Sequence, residues 1–132
     1  MKHGCVILAD VHHPLLAAIA GLLEAMFDTV VMVSSFESLM KTAKRIRPDL
    51  IVVDLSLPSS DGRKLLLKLD EQLIRLNMII LGTYNDTDIV SVIIKKGVKG
   101  YVLKQSTATD LPEAVDKVLS GETYVSPLAV RE

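Results

Sequence analysis

Cysteine is nearly missing: Cys5 is the only one in 132 residues, so no internal disulfide forms and a reducing, cytoplasmic setting is expected. Its plainest role is a small apolar group on a strand rather than a reactive thiol. Tryptophan is absent, and three Tyr and two Phe are the whole aromatic complement, so the core rests on Ile, Leu, Val and Ala. Neither sign of charge dominates, because 15 basic and 16 acidic residues leave a net charge of −1. With no basic run either, DNA contact by this segment is not expected. No apolar run approaches the roughly 18 residues of a membrane span, and the amino terminus lacks the pattern of a cleaved signal peptide. Phosphate-cradling glycine motifs are missing too, since neither G-x-G-x-x-G nor a Walker loop follows any apolar run. His12 and His13 lie beside Asp10, yet His3 and Cys5 are not spaced to complete a transition-metal shell with them, and solvated or packed loop histidines are the simpler reading.

What is present is a regular alternation. At 132 residues the chain has the size of one domain. Cys5–Ala9 is a short apolar run ending on Asp10, and Pro14 starts a helix with Leu15, Ala18, Ile19, Leu22, Leu23 and Met26 at helical spacing. Thr29–Val33 reads as a second strand. Ser34 with Glu37 reads as a capping box for a helix carrying Phe36, Leu39, Met40, Ala43 and Ile46, which Pro48 ends. Leu50–Val53 is apolar without alternation, as in a strand buried on both faces, and it ends on Asp54 before the loop Leu57-Pro-Ser-Ser-Asp-Gly62. Asp61 caps an expected third helix with Leu65, Leu66, Leu69, Leu73 and Leu76 on one face. Met78–Leu81 is a fourth strand, Thr87–Lys96 a fourth helix with Gly97 as its left-handed cap, and Gly100–Leu103 a fifth strand followed by Lys104. The last helix carries Leu111, Ala114, Val115, Val118 and Leu119 and stops at Gly121; Pro112 requires a cap at Asp110, or one at Thr107 with an irregular first turn.

Short strands alternating with helices imply an α/β fold, a parallel sheet with helices on both faces. All strands of such a sheet point one way, so Asp10, Asp54, Gly82 and Lys104 arrive at a single edge. Two carboxylates and an ammonium there are costly unless paired with each other or with a metal. The chemistry this suggests is a phosphoryl site in which Asp54 is the nucleophile, Mg²⁺ neutralises charge through oxygen ligands, and Lys104 meets the phosphoryl oxygens or the carboxylate. A Lys104–Asp54 salt bridge without chemistry is the plain alternative. Val92, Tyr84 and Tyr101 are the residues expected to be exposed on a partner-binding face.

Nearly the whole chain resembles the response-regulator receiver domain. Pro48-Asp-Leu-Ile-Val-Val-Asp54, Leu57-Pro58 and Asp61-Gly62 are similar to that family's phosphoacceptor strand and loop, and Gly100-Tyr-Val-Leu-Lys104 to its fifth-strand signature. The resemblance implies a CheY-like, doubly wound, flavodoxin-like sandwich of three layers, with five strands in the order 2-1-3-4-5. It implies that Asp54 accepts a phosphoryl group from a sensor histidine kinase, that the backbone carbonyl of Ser56 helps Asp10 and Asp54 hold Mg²⁺, and that Lys104 contacts the phosphoryl group. Tyr101 is implied as the aromatic that turns inward on activation, altering a face made by the fourth helix, fifth strand and fifth helix, through which a homodimer is expected.

Two positions differ from the family pattern. The family has adjacent acids after strand 1, and a gap-free match puts Asp10 on the first and Val11 on the second; a match slid onto His13-Pro14 places Val11 and His12 there instead. At the end of strand 4 the family has Ser or Thr. Gly82 holds that place, with the adjacent Thr83 one residue out of register and so on the other face. Each loss is expected to cost on the order of 1–3 kcal/mol, weakening Mg²⁺ binding and switching.

Gly121-Glu-Thr-Tyr-Val-Ser-Pro127 resembles the join in regulators of the NarL/FixJ/LuxR kind. One receiver domain over 1–132 is therefore expected, with a core of about 3–120 and 121–132 opening a linker toward a helix-turn-helix domain outside this chain, through which alone DNA is met. The protein is thus expected to be a signalling module with a transcriptional output, not an enzyme. A degenerate receiver acting as a phosphate-independent interaction module is the alternative. A phosphatase of the haloacid dehalogenase type is a third reading, and it lacks the acid two residues after the nucleophile, where Ser56 stands.

Overall fold

The computed structural model describes residues 2–10, 14–57, 67–82 and 87–127. Six strands, β1 (His3–Ala9), β2 (Phe27–Val33), β3 (Leu50–Asp54), β4 (Met78–Gly82), β5 (Gly100–Leu103) and β6 (Tyr124–Val125), form one sheet in the order β2-β1-β3-β4-β5-β6. Every pairing is parallel. The expected five-strand order is present, and the stretch expected to lead away from the domain adds the sixth strand.

The strands that read as unbroken apolar runs are central for that reason. β3 and β4 are buried along their whole length, and each fully buried Val, Leu or Ile contributes about 1.5–3 kcal/mol relative to exposure. The two faces of the sheet carry separate cores. On one, Ile7, Ile51, Val53 and Ile80 meet α2 (Phe36–Ile46), α3 (Glu71–Arg75) and α4 (Thr87–Lys96) through Leu39, Leu73, Val90 and Ile93. On the other, Val6, Leu8, Val52, Ile79 and Leu81 meet α1 (Leu16–Met26) and α5 (Thr107–Leu119) through Ile19, Leu23, Leu111 and Val115. The result is a three-layer sandwich.

At several helix ends the local chemistry departs from the sequence reading. Ser35, not Ser34, caps α2: its Oγ accepts the Ser38 N–H at 3.0 Å, and the Ser35 backbone is extended as a cap must be. Within the span expected for the third helix, residues 69–70 are not helical, and Asp70 caps α3 by accepting the Leu73 N–H at 2.9 Å; Asp61 and Leu65 lie outside the described residues. Pro112 lies inside α5, which begins at Thr107 after a 3₁₀ turn (Lys104–Ser106), so neither Asp110 nor Thr107 is the cap. Gly97 ends α4 at φ 103°, the left-handed conformation its position requires. At the opposite edge of the sheet Asp49 accepts the Cys5 N–H at 2.8 Å. Burial, then the Asp49 charge, pushes the Cys5 thiol up, which keeps it protonated and inert.

Candidate functional site

The parallel register brings the expected residues to one edge. Asp10 follows β1, and its N–H donates to the Val33 carbonyl at 3.0 Å. Asp54 ends β3 opposite Leu81, and the Leu55 N–H donates to Leu81 at 2.8 Å. Gly82 ends β4 opposite Leu103, and Lys104 follows directly. Asp10 is 3 % exposed and Asp54 0 %. Burial of two acids side by side demands compensation from the surrounding groups.

That compensation is specific. Lys104 Nζ stands 2.7 Å from Asp54 Oδ2, a close ion pair. Asp54 Oδ1 accepts from Ser56 twice, from the backbone N–H at 2.8 Å and from Oγ at 2.7 Å. The Leu57 N–H donates to the Asp54 carbonyl at 3.0 Å and closes the turn. Asp10 faces Asp54 and is the first of the groups that lower its pKa. Burial pushes the Asp54 pKa up, but Asp10, Lys104 and Ser56 together outweigh it and hold the carboxyl below its usual range. Asp54 is therefore an anion at neutral pH: a desolvated, oriented carboxylate with a cation at hand.

Gly82, at the end of β4, and Tyr101, on β5, meet each other. Tyr101 is 0 % exposed, its ring packed into the core with Ile80, Val90 and Leu103. A β-carbon at position 82 would overlap the Tyr101 hydroxyl and stand 2.7 Å from Cζ and 3.0 Å from Cε1. The expectation that Tyr101 is exposed is thus corrected, because the missing side chain at Gly82 is the space its phenol fills. Val92 is exposed as expected, at 44 %. Val11, His12, His13, Thr83 and Tyr84 lie outside the described residues.

The contacts accordingly join Asp10, Asp54, Ser56 and Lys104, while Gly82 and Tyr101 pack against each other on the neighbouring strands. The sequence reading gave Ser56 only a carbonyl role and missed its N–H and hydroxyl. The signal was available, since a serine two residues after an acid at a strand end favours such a local turn. Among the described residues no three His, Cys, Asp or Glu side chains cluster as a metal shell. Two buried carboxylates beside a serine are nonetheless hard oxygen donors, and they suit Mg²⁺ better than a soft metal.

The family profile of the response regulator receiver domain matches residues 6–116. The chain belongs to this family. The nitrate/nitrite response regulator protein NarL of Escherichia coli K12 is 29 % identical over 123 residues, which cover 92 % of this receiver and 57 % of NarL. The oxygen regulatory protein NreC of Staphylococcus epidermidis is 30 % identical over 123 residues, 91 % of this chain and 56 % of the relative. This receiver thus spans a little over half the length of these relatives. Among solved structures, the isolated receiver domain of RcsB from Salmonella enterica serovar Typhimurium with the phosphomimetic BeF₃⁻ superposes with a TM-score of 0.83 at 27 % identity, covering 98 % of both chains. The apo form of that domain gives 0.81 at 27 % identity, covering 96 % of both. This is a receiver domain of two-component signalling, similar to those of the NarL and DegU regulators. No helix among the described residues is long and apolar enough to cross a membrane.

Proposed function

We propose that Asp54 accepts a phosphoryl group from a sensor histidine kinase. The observation that carries this is the pair at the centre of the site: a fully buried carboxylate held by Lys104 Nζ at 2.7 Å and faced by a second acid. An Asp54 oxygen attacks the phosphorus of the kinase's phosphohistidine, the N–P bond breaks, and the imidazole keeps the electron pair. Ser56 fixes the carboxylate through Oδ1, and Lys104 turns from Oδ2 toward the new phosphoryl charge. Asp10, Asp54 and the Ser56 carbonyl are the groups for Mg²⁺, which when bound neutralises charge between carboxylate and phosphoryl oxygens. Val11 in place of a second acid makes that binding weak.

The reading extends to the output. A face of α4, β5 and α5, with Val92 exposed on α4, forms a homodimer, and residues 121–132 open a linker toward a helix-turn-helix domain outside this chain that alone meets DNA. The greater length of the NarL and NreC relatives supports this, as does an RcsB–DNA complex among the similar structures. The protein works in the cytoplasm as a signalling component. To test the site, Mg²⁺ and beryllofluoride are titrated in while backbone amides near Asp54 are followed by NMR. Saturable shifts at Ser56 and Lys104 are expected, and their absence at millimolar Mg²⁺ would sink the proposal.

A further inference from the structure

We propose that the groove between α2 and α3 binds a small amphipathic carboxylate, an anionic head on an apolar chain. At the Phe36 end of α2 the gap is covered by Lys68, whose Nζ lies 5.6 Å from the ring centroid. Toward the other end, the last turns of α2 and α3 enclose a cavity of about 270 Å³, close to the lower bound of about 300 Å³ for small-molecule sites. Its floor is Met40, Ala43, Leu73 and Leu76. Ala43 and Leu73 belong to the buried core, so the floor is firm. Lys44 and Arg47 line it as well, both exposed, and no acid does among the described residues. Other charges of these helices are paired within their own helix, Lys41 with Glu37 at 3.5 Å and Arg75 with Glu71 at 3.8 Å. An apolar floor edged by two cations selects a ligand that is greasy at one end and negative at the other.

Arg47 stands where glycine would serve the helix better. It ends α2 at φ 47°, the only non-glycine residue with positive φ among those described, and its N–H closes the helix on the Ala43 carbonyl at 3.1 Å. Glycine fills such a cap without strain. The helix dipole does not call for this arginine, because Lys44 and Arg45 already answer it in the last turn. What the strained position delivers is a guanidinium, the bidentate partner of a carboxylate, beside the apolar floor. Arg47 and Leu76 precede β3 and β4, whereas Asp54 ends β3. The groove therefore lies toward the opposite edge of the sheet from the phosphoryl site and is independent of it.

The test titrates decanoate, below its micellar range, into the whole chain while the amides of Ala43, Leu73 and Leu76 are followed by NMR. Saturable shifts centred on these residues are expected, and decanol, which lacks the charge, should bind about tenfold more weakly, the worth of two exposed charge contacts. Arg47→Gly removes the guanidinium and the backbone strain together, so affinity should fall about fivefold while the thermal midpoint holds or rises. An arginine with a purely structural role would move the midpoint and leave affinity alone. Adding Lys44→Gln should bring the loss level with decanol. The proposal is overturned if millimolar decanoate gives no saturable shift, or if decanol or the double variant binds as tightly as decanoate binds the parent. Shifts of the same amides that grow with protein concentration and exclude decanoate would also overturn it, because a second copy of the chain then fills the groove.

Discussion

Two acids of this fold are satisfied in opposite ways. Asp54, from β3, is wholly buried and answered by a charge, Lys104 Nζ at 2.7 Å. Asp110, on α5, is half-buried and answered by neutral hydroxyls: Ser126 Oγ donates to Oδ2 at 2.7 Å and Thr109 Oγ1 to Oδ1 at 3.3 Å. Ser126 in turn accepts the Leu103 N–H at 3.0 Å, one residue before Lys104. An acid held by a mobile cation remains a nucleophile, because the cation can follow the charge when a phosphoryl group arrives. An acid held by hydroxyls that also serve the backbone is a structural rivet. Lys104 keeps 24 % of its side chain exposed, whereas Ser126 is fully buried.

Substitutions can break or sharpen this contrast. Asp54→Asn should reduce phosphorylation by acetyl phosphate to background on phosphate-affinity gels while Asp110→Asn leaves it intact; equal loss in both would erase the distinction. Lys104→Met should cost about 3 kcal/mol at neutral pH in urea unfolding, because it strands a buried carboxylate. The pH response should then shift. In the parent, the stabilisation by Asp54 is present above the ordinary carboxylate value of about 4 and is lost as pH falls through its lowered folded value. In the variant, Asp10 and Ser56 alone oppose burial, so the lowering is smaller and the acid loss begins at higher pH. Ser126→Ala should cost about 1–3 kcal/mol and accelerate amide exchange at Leu103, with beryllofluoride affinity unchanged. Tyr124→Phe should have the smallest effect, about 1 kcal/mol or less. Burial first, then the charges of Asp110 and Glu113 and the bond to Asp110, raise the Tyr124 phenol to about 12. Its stabilisation is thus complete below the ordinary tyrosine value of about 10 and disappears as pH rises toward about 12, a loss absent from the Phe variant.

Much of this arrangement was legible because the central strands are apolar without alternation. Leu50–Val53 and Met78–Leu81 have no solvent face to show, so parallel pairing and the convergence of Asp10, Asp54 and Lys104 followed from topology. The sequence is silent where a feature is shorter than any period. Tyr124–Val125 is two residues long and is held by the Tyr124 N–H to Lys99 and the Ser126 N–H to Tyr101, at 2.8 and 2.9 Å, bonds no pattern announces. Ser34 and Ser35 are equivalent as letters, and only the backbone angle at Ser35 selects the cap. Tyr101 was misplaced because a phenol suggests a surface, while its true environment is set by the absent side chain at Gly82, a residue 19 positions away.

The order of the strands has a consequence for biosynthesis. Asp10, Asp54 and Lys104 come from the first, third and fifth strands, and a parallel sheet closes only through long crossovers, which makes such pairing slow. A nascent chain that has not yet emitted β5 holds both acids without their cation. The complete site therefore exists only on a chain whose sheet has fully zipped, so half-made or misfolded copies carry the acids without the cation that answers them.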